Sequence, residues 1–510
     1  MALNARTLWD IPELRIHLAQ FLDDAQLAVA SAVCKSWNTT FIPILYSQII
    51  WNESSIGRKP SKKAVQTHAT HIRTLDILGF VREFPFGDST NIEDLYLGYG
   101  SIDHRIWDQL LKLIYNNPGL RSVNIDLLTD QYIYHREIME ALCHCKNLRT
   151  LSITLETLDV DMAEYLFNAC SRLEDLTLDI LKFTGMESMD KWTEFPNIRI
   201  LSLMVEDGLS SRQQLQIIRK CPQLRSLFWH FSFKDVTCKE VCEAFSTCCL
   251  DLRELSLSSP DSSDLVGIQD KHLSQVICSC RELSKFVISD MQFGPLSFQS
   301  LRPHFKSLRN LVLDRNPLLS GSMAQEIMTS CPLLDALSIV SLKAKDVLGV
   351  VQGESGVINI EGLTLHHPHP QDWICLNLTS LTVYICGLES KPSEWQRSVL
   401  KQLARLEKLE LLDIGPDVPW GEMVQDGLDL RLASGLDILV TLKRLETIMF
   451  LRLRQQMEEQ DVKWMIQAWP RLRNIHGKLH YNSSRNKWLK AILRKKHIST
   501  IEDDVYEDDE

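Results

Sequence analysis

The feature that most constrains this chain is a recurring L-x-x-L-x-L pattern, with Ile, Val or Phe sometimes replacing Leu. It stands clearly in LRTLSI at 148, LEDLTL at 173, IRILSL at 198, LRELSL at 252, LRNLVL at 308, LTSLTV at 378 and LEKLEL at 406. Weaker copies begin at Ile72, Ile92, Leu120, Leu224, Leu283, Leu334, Ile360, Leu445 and Leu472. Between 120 and 360 successive starts are 25 to 31 residues apart, an interval too narrow for chance leucines.

The x-L-x-L part alternates as a strand with one buried face. Helical stretches lie between the strands. Ser211 with Gln214, Thr237 with Glu240 and Ser322 with Gln325 sit at capping-box spacing ahead of apolar helix faces. One such unit cannot bury its own apolar side, so neighbours must stack around a shared core. Spacing breaks between 360 and 378 and between 406 and 445, and an insertion is expected around DIGPDVPWGEMVQDG.

These repeats resemble the leucine-rich repeat in its longer form, over roughly residues 70–480. The resemblance implies an α/β fold: a curved solenoid with an inner parallel sheet and outer helices. The full signature adds Asn or Cys and then Leu, which Asn316 with Leu318 and Cys386 with Leu388 supply. Most units lack it.

Six of the 14 cysteines (Cys145, Cys170, Cys221, Cys249, Cys280 and Cys331) lie three residues before a repeat start. Phe195, Phe305 and Trp469 fill the same slot elsewhere. A slot open to Cys or an aromatic is an apolar packing position, because a free Cys behaves as a small hydrophobe. Zinc is the competing reading, for Cys238, Cys242, Cys248 and Cys249. C-x-x-x-C followed by adjacent cysteines fits a tetrahedral site poorly. His366, His367 and His369 fall among prolines and read as a loop. No metal or other cofactor is expected.

Residues 1–50 do not follow the repeat. Pro12 suits a helix start, with Leu14, Leu18, Phe21 and Leu22 at helical spacing. Asp23 and Asp24 can open a second helix carrying Leu27, Val29, Ala30 and Val33, and Trp37 extends that series by four. The pair Cys34–Lys35 has no accompanying His, so Cys34 reads as packing rather than as an activated nucleophile.

Ile11-Pro12-Glu13-Leu14, Phe21-Leu22, Asp24 with Leu27, and Val33-Cys34-Lys35-Ser36-Trp37 together resemble the F-box. That resemblance implies a Skp-family adaptor and, through it, a cullin–RING ligase. It makes Pro12, Leu14, Leu18, Leu22 and Leu27 adaptor-binding candidates, with Val33, Cys34 and Trp37 as structural anchors. An F-box joined to leucine-rich repeats resembles the substrate receptors of SCF-type ubiquitin ligases, in which the repeats hold a target protein for ubiquitination. The alternative is a repeat scaffold or inhibitor acting by binding alone. Neither is an enzyme, and no G-x-S-x-G, P-loop, H-E-x-x-H or dinucleotide fingerprint occurs.

Residues between and just after the last two Leu-type positions should face out from the sheet. This nominates Tyr96, Phe228, His230, Asp314, His366 and Tyr384 for target binding, alongside Asp126 and Asp179, and puts Trp229 in the core.

Composition narrows the rest. The formal charge is −11, but seven acids lie in the last nine residues; without them the balance is 55 − 59 = −4. A nucleic-acid binder usually carries a basic excess. No apolar run reaches about 18 residues, so no membrane span is expected. A cytoplasmic or nuclear protein with reduced thiols follows as the expectation. The resulting division is a helical domain at 1–50, a linker or repeat entry at 51–70, and the solenoid at 71–480. A capping helix at 481–500, read from the basic SSRNKWLKAILRKKH, and an acidic tail at 501–510 complete it.

Overall fold

A computed structural model describes residues 11–52, 60–78, 84–98, 104–127, 132–185, 194–230, 235–258, 269–347, 372–388, 392–418 and 422–502. His366 and the repeat start at Ile360 lie outside these residues, as do most of the acidic tail and the histidines beside His366. The chain forms two compact units. The first holds residues 1–236 and 247–250, the second 237–246 and 251–510.

Among the described residues the first unit opens with three helices: α1 (Pro12–Ala19), α2 (Asp24–Ser31) and α3 (Lys35–Leu45). A parallel ladder follows. Its strands are β1 (Gln48–Asn52), β2 (Thr74–Leu78), β3 (Asp94–Leu97), β4 (Ser122–Leu127), β5 (Thr150–Leu158), β6 (Asp175–Phe183), β7 (Ile200–Asp207) and β8 (Ser226–His230). Each pairs with the next in unbroken parallel register, as in Thr150↔Asp175 and Asp175↔Ile200. The ladder begins at Gln48, inside the stretch expected to be helical, and a short helix, Lys62–Thr67, crosses from β1 to β2.

Among the described residues the second unit carries nine strands in the same arrangement. They are β9 (Glu254–Ser258), β10 (Lys285–Ser289), β11 (Asn310–Asp314), β12 (Ala336–Lys343), β13 (Ser380–Cys386), β14 (Leu411–Asp413), β15 (Thr447–Met449), β16 (Asn474–His476) and β17 (Ser499–Ile501). Parallel neighbours need a crossover, and an outer helix supplies most of them. This is consistent with the leucine-rich-repeat plan of strand, helix and return turn, and each described repeat start but the one at Leu406 leads directly into a strand.

The Leu-type positions are the core. Leu151, Ile153 and Leu155 of β5 are buried, as are Leu176, Leu178 and Ile180 of β6. Each such side chain contributes about 1.5–3 kcal/mol on burial. The slot three residues before the start is buried at all six cysteines and at Phe195, Phe305 and Trp469. Its carbonyl accepts the amide of the start residue, as in Leu148 to Cys145 (3.2 Å) and Leu224 to Cys221 (3.2 Å). The thiols point back at the preceding helical turn: Cys170 reaches the Leu166 carbonyl at 3.3 Å and Cys221 that of Ile217 at 3.4 Å. Burial pushes the Cys145 thiol up to about 11 and that of Cys249 to about 12. These cysteines are inert filler, as the slot's tolerance for aromatics implies.

Residues that follow some of the starts pair across neighbouring strands with opposite charge. Glu93 lies between Arg73 and Arg121, the latter at 3.2 Å, and Glu174 between Arg149 (3.6 Å) and Arg199 (3.9 Å). Exposed pairs of this kind each add about 0–1 kcal/mol, so they help set register more than stability.

Several local expectations shift. The helix Ser211–Arg219 is capped one residue earlier, by Ser210 with Gln213, and Gln214 is buried instead. The helix Gly321–Ser330 is capped by Ser320, not Ser322. Thr237 and Glu240 do pair as expected. The pairing Ser380↔Leu411 moves one repeat start from Leu406 to Leu409, which puts Leu406 in the buried slot. Asn316 is buried and bonds the Phe293 amide and the Ile288 and Asp314 carbonyls, but Leu318 is exposed. The basic helix near the C-terminus, Ser483–Arg494, is followed by β17 on β16, so it is the outer helix of a repeat. Among the described residues no helix is long and apolar enough to cross a membrane, and no group of three or more His, Cys, Asp or Glu could hold a metal.

Candidate protein-binding surfaces

The three N-terminal helices make a small core of their own. Ala19, Leu27, Ala30 and Phe41 are buried, with Leu18, Leu22, Trp37, Ile44 and Leu45 packed against them. Pro12 begins α1, where a missing N–H is harmless. Asp23 caps α2 in a reciprocal box with Gln26, at 2.8 and 3.0 Å. The helix ends at Ser31, and Cys34 is extended before α3 begins. Trp37 therefore belongs to a different helix from Val33. It packs edge-to-face on Phe41 with centroids 5.4 Å apart. Arg15 is buried and its guanidinium bonds the Ser36 hydroxyl, which ties α1 to α3.

This core sorts the N-terminal candidates. Trp37 holds the helices together. Val33 and Cys34 do not, because both are exposed in the break between α2 and α3. Leu27 is only 5% exposed and faces inward. Leu18 and Leu22 are half-buried, whereas Pro12 and Leu14 are exposed. The largest exposed side chain is Phe21 at 74%, followed by Val29 at 71% and Val33 at 62%, with Ile11 and Ile16 also exposed. The helical periodicity located Phe21 and Val29 without showing that they face solvent: a stripe on so short a helix does not say which part of it the partner helices cover.

On the sheet of the first unit, one line of register crosses Asp76, Tyr96, Asn124, Ser152, Thr177, Ser202 and Phe228. Tyr96 and Phe228 are half-buried in it, with small polar residues between. Five strand spacings separate them, about 24 Å. The next line crosses Asp126, Thr154, Asp179, Met204 and His230. Burial raises the Asp179 pKa; Glu206 and Asp126 raise it further, and His230 opposes them. Trp229 points to the other side, fully buried, and its indole N–H donates to Gln214 Oε1 at 2.7 Å.

In the second unit the candidates are already engaged. Asp314 accepts from Ser338 Oγ at 2.6 Å. The Tyr384 hydroxyl donates to the Asp426 carbonyl, and the Asp426 carboxylate accepts the Gly387 and Leu388 amides at 2.7 and 2.9 Å. Arg315 Nε meets Asp417 at 3.0 Å, and Arg452 donates to the Val418 carbonyl. Val424 bridges to Leu453. The expected insertion is thus fastened to the ends of β11, β13 and β15, and Tyr384 is one of its fasteners.

The fold is α/β, a parallel ladder with helices between its strands that is consistent with a leucine-rich-repeat solenoid. No family model matches the chain. A Caenorhabditis elegans protein described as "Putative RNA-binding protein EEED8.10" is 25% identical over 316 residues, 60% of this chain but 38% of that protein. Three solved structures are similar in part. An internalin of Listeria monocytogenes has 16% identity and a TM-score of 0.36, covering 71% of this chain and 82% of that one. A chain of the TLR13–ssRNA13 complex has 13% and 0.31, covering 84% and 73%. A chain of the yeast Rad7–Elc1 complex has 17% and 0.38, covering 65% and 80%.

Proposed function

We propose that this chain is the substrate-recognition subunit of an SCF-type cullin–RING ubiquitin ligase. Its N-terminal helices dock on a Skp-family adaptor, and its repeats hold a protein target. The observation that carries the reading is the N-terminal helical core, which leaves Leu14, Phe21 and Val29 exposed while Leu27 and Phe41 pack inside. Exposed large apolar groups on so small a unit are costly in water, and a partner surface removes that cost. The repeats fit the second role. Between Tyr96 and Phe228 the sheet offers about 24 Å of small polar side chains bounded by aromatics. Aromatics are the usual anchors of protein interfaces. The chain's part is to hold two proteins together, with ubiquitin transfer carried out by the other subunits.

Mixing purified chain with a Skp-family adaptor tests the first half. The wild type should co-elute with the adaptor, and a Leu14→Asp, Phe21→Asp variant should not, with its helical circular dichroism unchanged. An intact chain that fails to bind any Skp-family adaptor would sink the proposal.

A further inference from the structure

One pair of cysteines departs from the packing slot. Cys238 and Cys242 are the first and fifth residues of the helix Cys238–Cys248, and their sulfurs stand 3.7 Å apart. Thr237 and Glu240 cap that first turn, so the pair is held on ordered backbone. Cys238 Sγ also lies 3.4 Å from the His272 carbonyl and 3.2 Å from Gln275 Oε1. Cys242 is half-buried and takes a further hydrogen bond from Ser279. Its thiol is shifted down, chiefly because Cys238 hydrogen-bonds to its thiolate, whereas burial shifts the slot thiols of Cys145, Cys170, Cys221, Cys249 and Cys331 up.

The geometry limits what this pair can do. Residues four apart on a helix have Cβ atoms about 5–6 Å apart. A disulfide needs about 3.5–4.5 Å, so the intact turn does not close one. A single atom bonded to both sulfurs at about 2.3 Å, at an angle between a pyramidal value of roughly 95° and the tetrahedral one, holds them roughly 3.4–3.8 Å apart. That span matches the observed 3.7 Å. A four-ligand metal lacks its remaining partners, since no cluster of three ligating residues exists among the described residues. We propose that Cys238 and Cys242 form a dithiol site for soft, thiophilic centres that make two bonds to sulfur, trivalent arsenicals being the type. With phenylarsine oxide both S–H bonds are replaced by As–S bonds. The two protons leave with the arsenic's oxygen as one water, and arsenic keeps its oxidation state.

Native full-length protein treated with one equivalent of phenylarsine oxide tests this. Peptide mapping should find one bridged adduct on the peptide carrying Cys238 and Cys242. Alkylation of Cys242 by iodoacetamide at neutral pH should then slow by about tenfold or more, while exposed Cys34 and Cys278 keep their rates. A dithiol such as 2,3-dimercaptopropanol should reverse the adduct; the same thiol concentration of a monothiol should not. Cys238→Ser and Cys242→Ser should each abolish it, and Cys278→Ser should leave it. An adduct spread over other cysteines, or reversed equally by monothiol, overturns the proposal. The mapping uses wild-type protein, so it still decides the matter if a serine variant fails to fold.

Discussion

The sheets of the two units follow one plan but finish differently. In the first, β5 and β6 run for nine residues and β7 for eight. Alternation there continues one step past the last Leu-type position, to Leu155 and Ile180, and Leu158 and Phe183 are buried again three residues further on. In the second, β14, β15, β16 and β17 are three residues each. The non-glycine residues with left-handed backbone among those described, Asp290, Arg315, Arg452 and His497, all belong to the second unit. Asp290, Arg315 and Arg452 come soon after a strand, at turns that replace strand continuation. The same repeat therefore yields an extended, open face where apolar alternation persists. Where the chain turns out early, it yields a face fastened by an insertion. An exposed residue type is evidence of a binding surface only in the first case, and Tyr384 shows why.

The comparison predicts unequal responses to mutation. The largest is in the first unit. Trp229→Ala removes a fully buried indole and strands Gln214, and should cost about 3–5 kcal/mol in chemical denaturation. Trp229→Phe should cost less, about 1–2 kcal/mol, mainly through the orphaned Gln214. A loss below about 1 kcal/mol for the alanine variant would mean that the strand does not pack as described.

Asp426→Ala should come next and act locally. It deprives the Gly387 and Leu388 amides of a carboxylate acceptor, a loss of about 1.5–3 kcal/mol. Hydrogen exchange should quicken in residues 422–430 and 384–388 while β5–β7 stay protected. Uniform quickening across both units would show that the insertion is not an independent fastening.

A pH effect follows from His304 in the second unit. It is buried, and its Nδ1 accepts the Leu283 amide at 3.1 Å, which requires a neutral ring. Burial lowers its pKa below the ordinary 6.5, against smaller upward pulls from the Ile277 carbonyl and Glu282. A depressed histidine pKa means the unfolded state takes up the proton first. Its contribution is complete above about pH 6.5 and is lost as pH falls toward the folded pKa, by at most about 1.4 kcal/mol per pH unit. His304→Asn keeps an acceptor without the titration. The difference between wild-type and variant stability should therefore change between pH 7 and 5, and a constant difference would discount the histidine.

What could be read from sequence, and what could not, follows one physical line. Repeat period, strand phase, the cysteine slot and the burial of Trp229 were legible because each rests on many residues repeating one pattern. The misplacements occur where two registers satisfy the same local rule. In SSRQQ, Ser210 with Gln213 and Ser211 with Gln214 both make a capping box, and the need of the Trp229 indole for Gln214 decides between them. In LEKLELLDI both Leu406 and Leu409 can start a repeat, and pairing with β13 decides. Val33 and Trp37 are four apart, as on one helix, yet the chain breaks at Cys34 and puts Trp37 on the next helix, where it packs on Phe41 one turn further on. Leu27 looked as available as Phe21, because a three-helix unit shows which face is shared only once its helices are docked.

The smallest expected effect separates charge from backbone. Arg315 is paired with Asp417 at 3.0 Å and with Asp290 at 3.8 Å, but it is well exposed. Such a pair is worth about 0–1 kcal/mol. The residue also holds a left-handed φ of 50°, which a side chain disfavours by roughly 1–2 kcal/mol and glycine does not. Arg315→Ala should therefore destabilise slightly, by under about 1 kcal/mol. Arg315→Gly should be neutral or stabilising, since relief of the backbone offsets the lost pair. Raising salt should narrow the gap between wild type and Arg315→Ala and shift the balance further toward Arg315→Gly, because the exposed pair is screened. If glycine proves the worse of the two, relief of the left-handed backbone is not the main term, because both variants lose the ion pair and the side-chain stem alike.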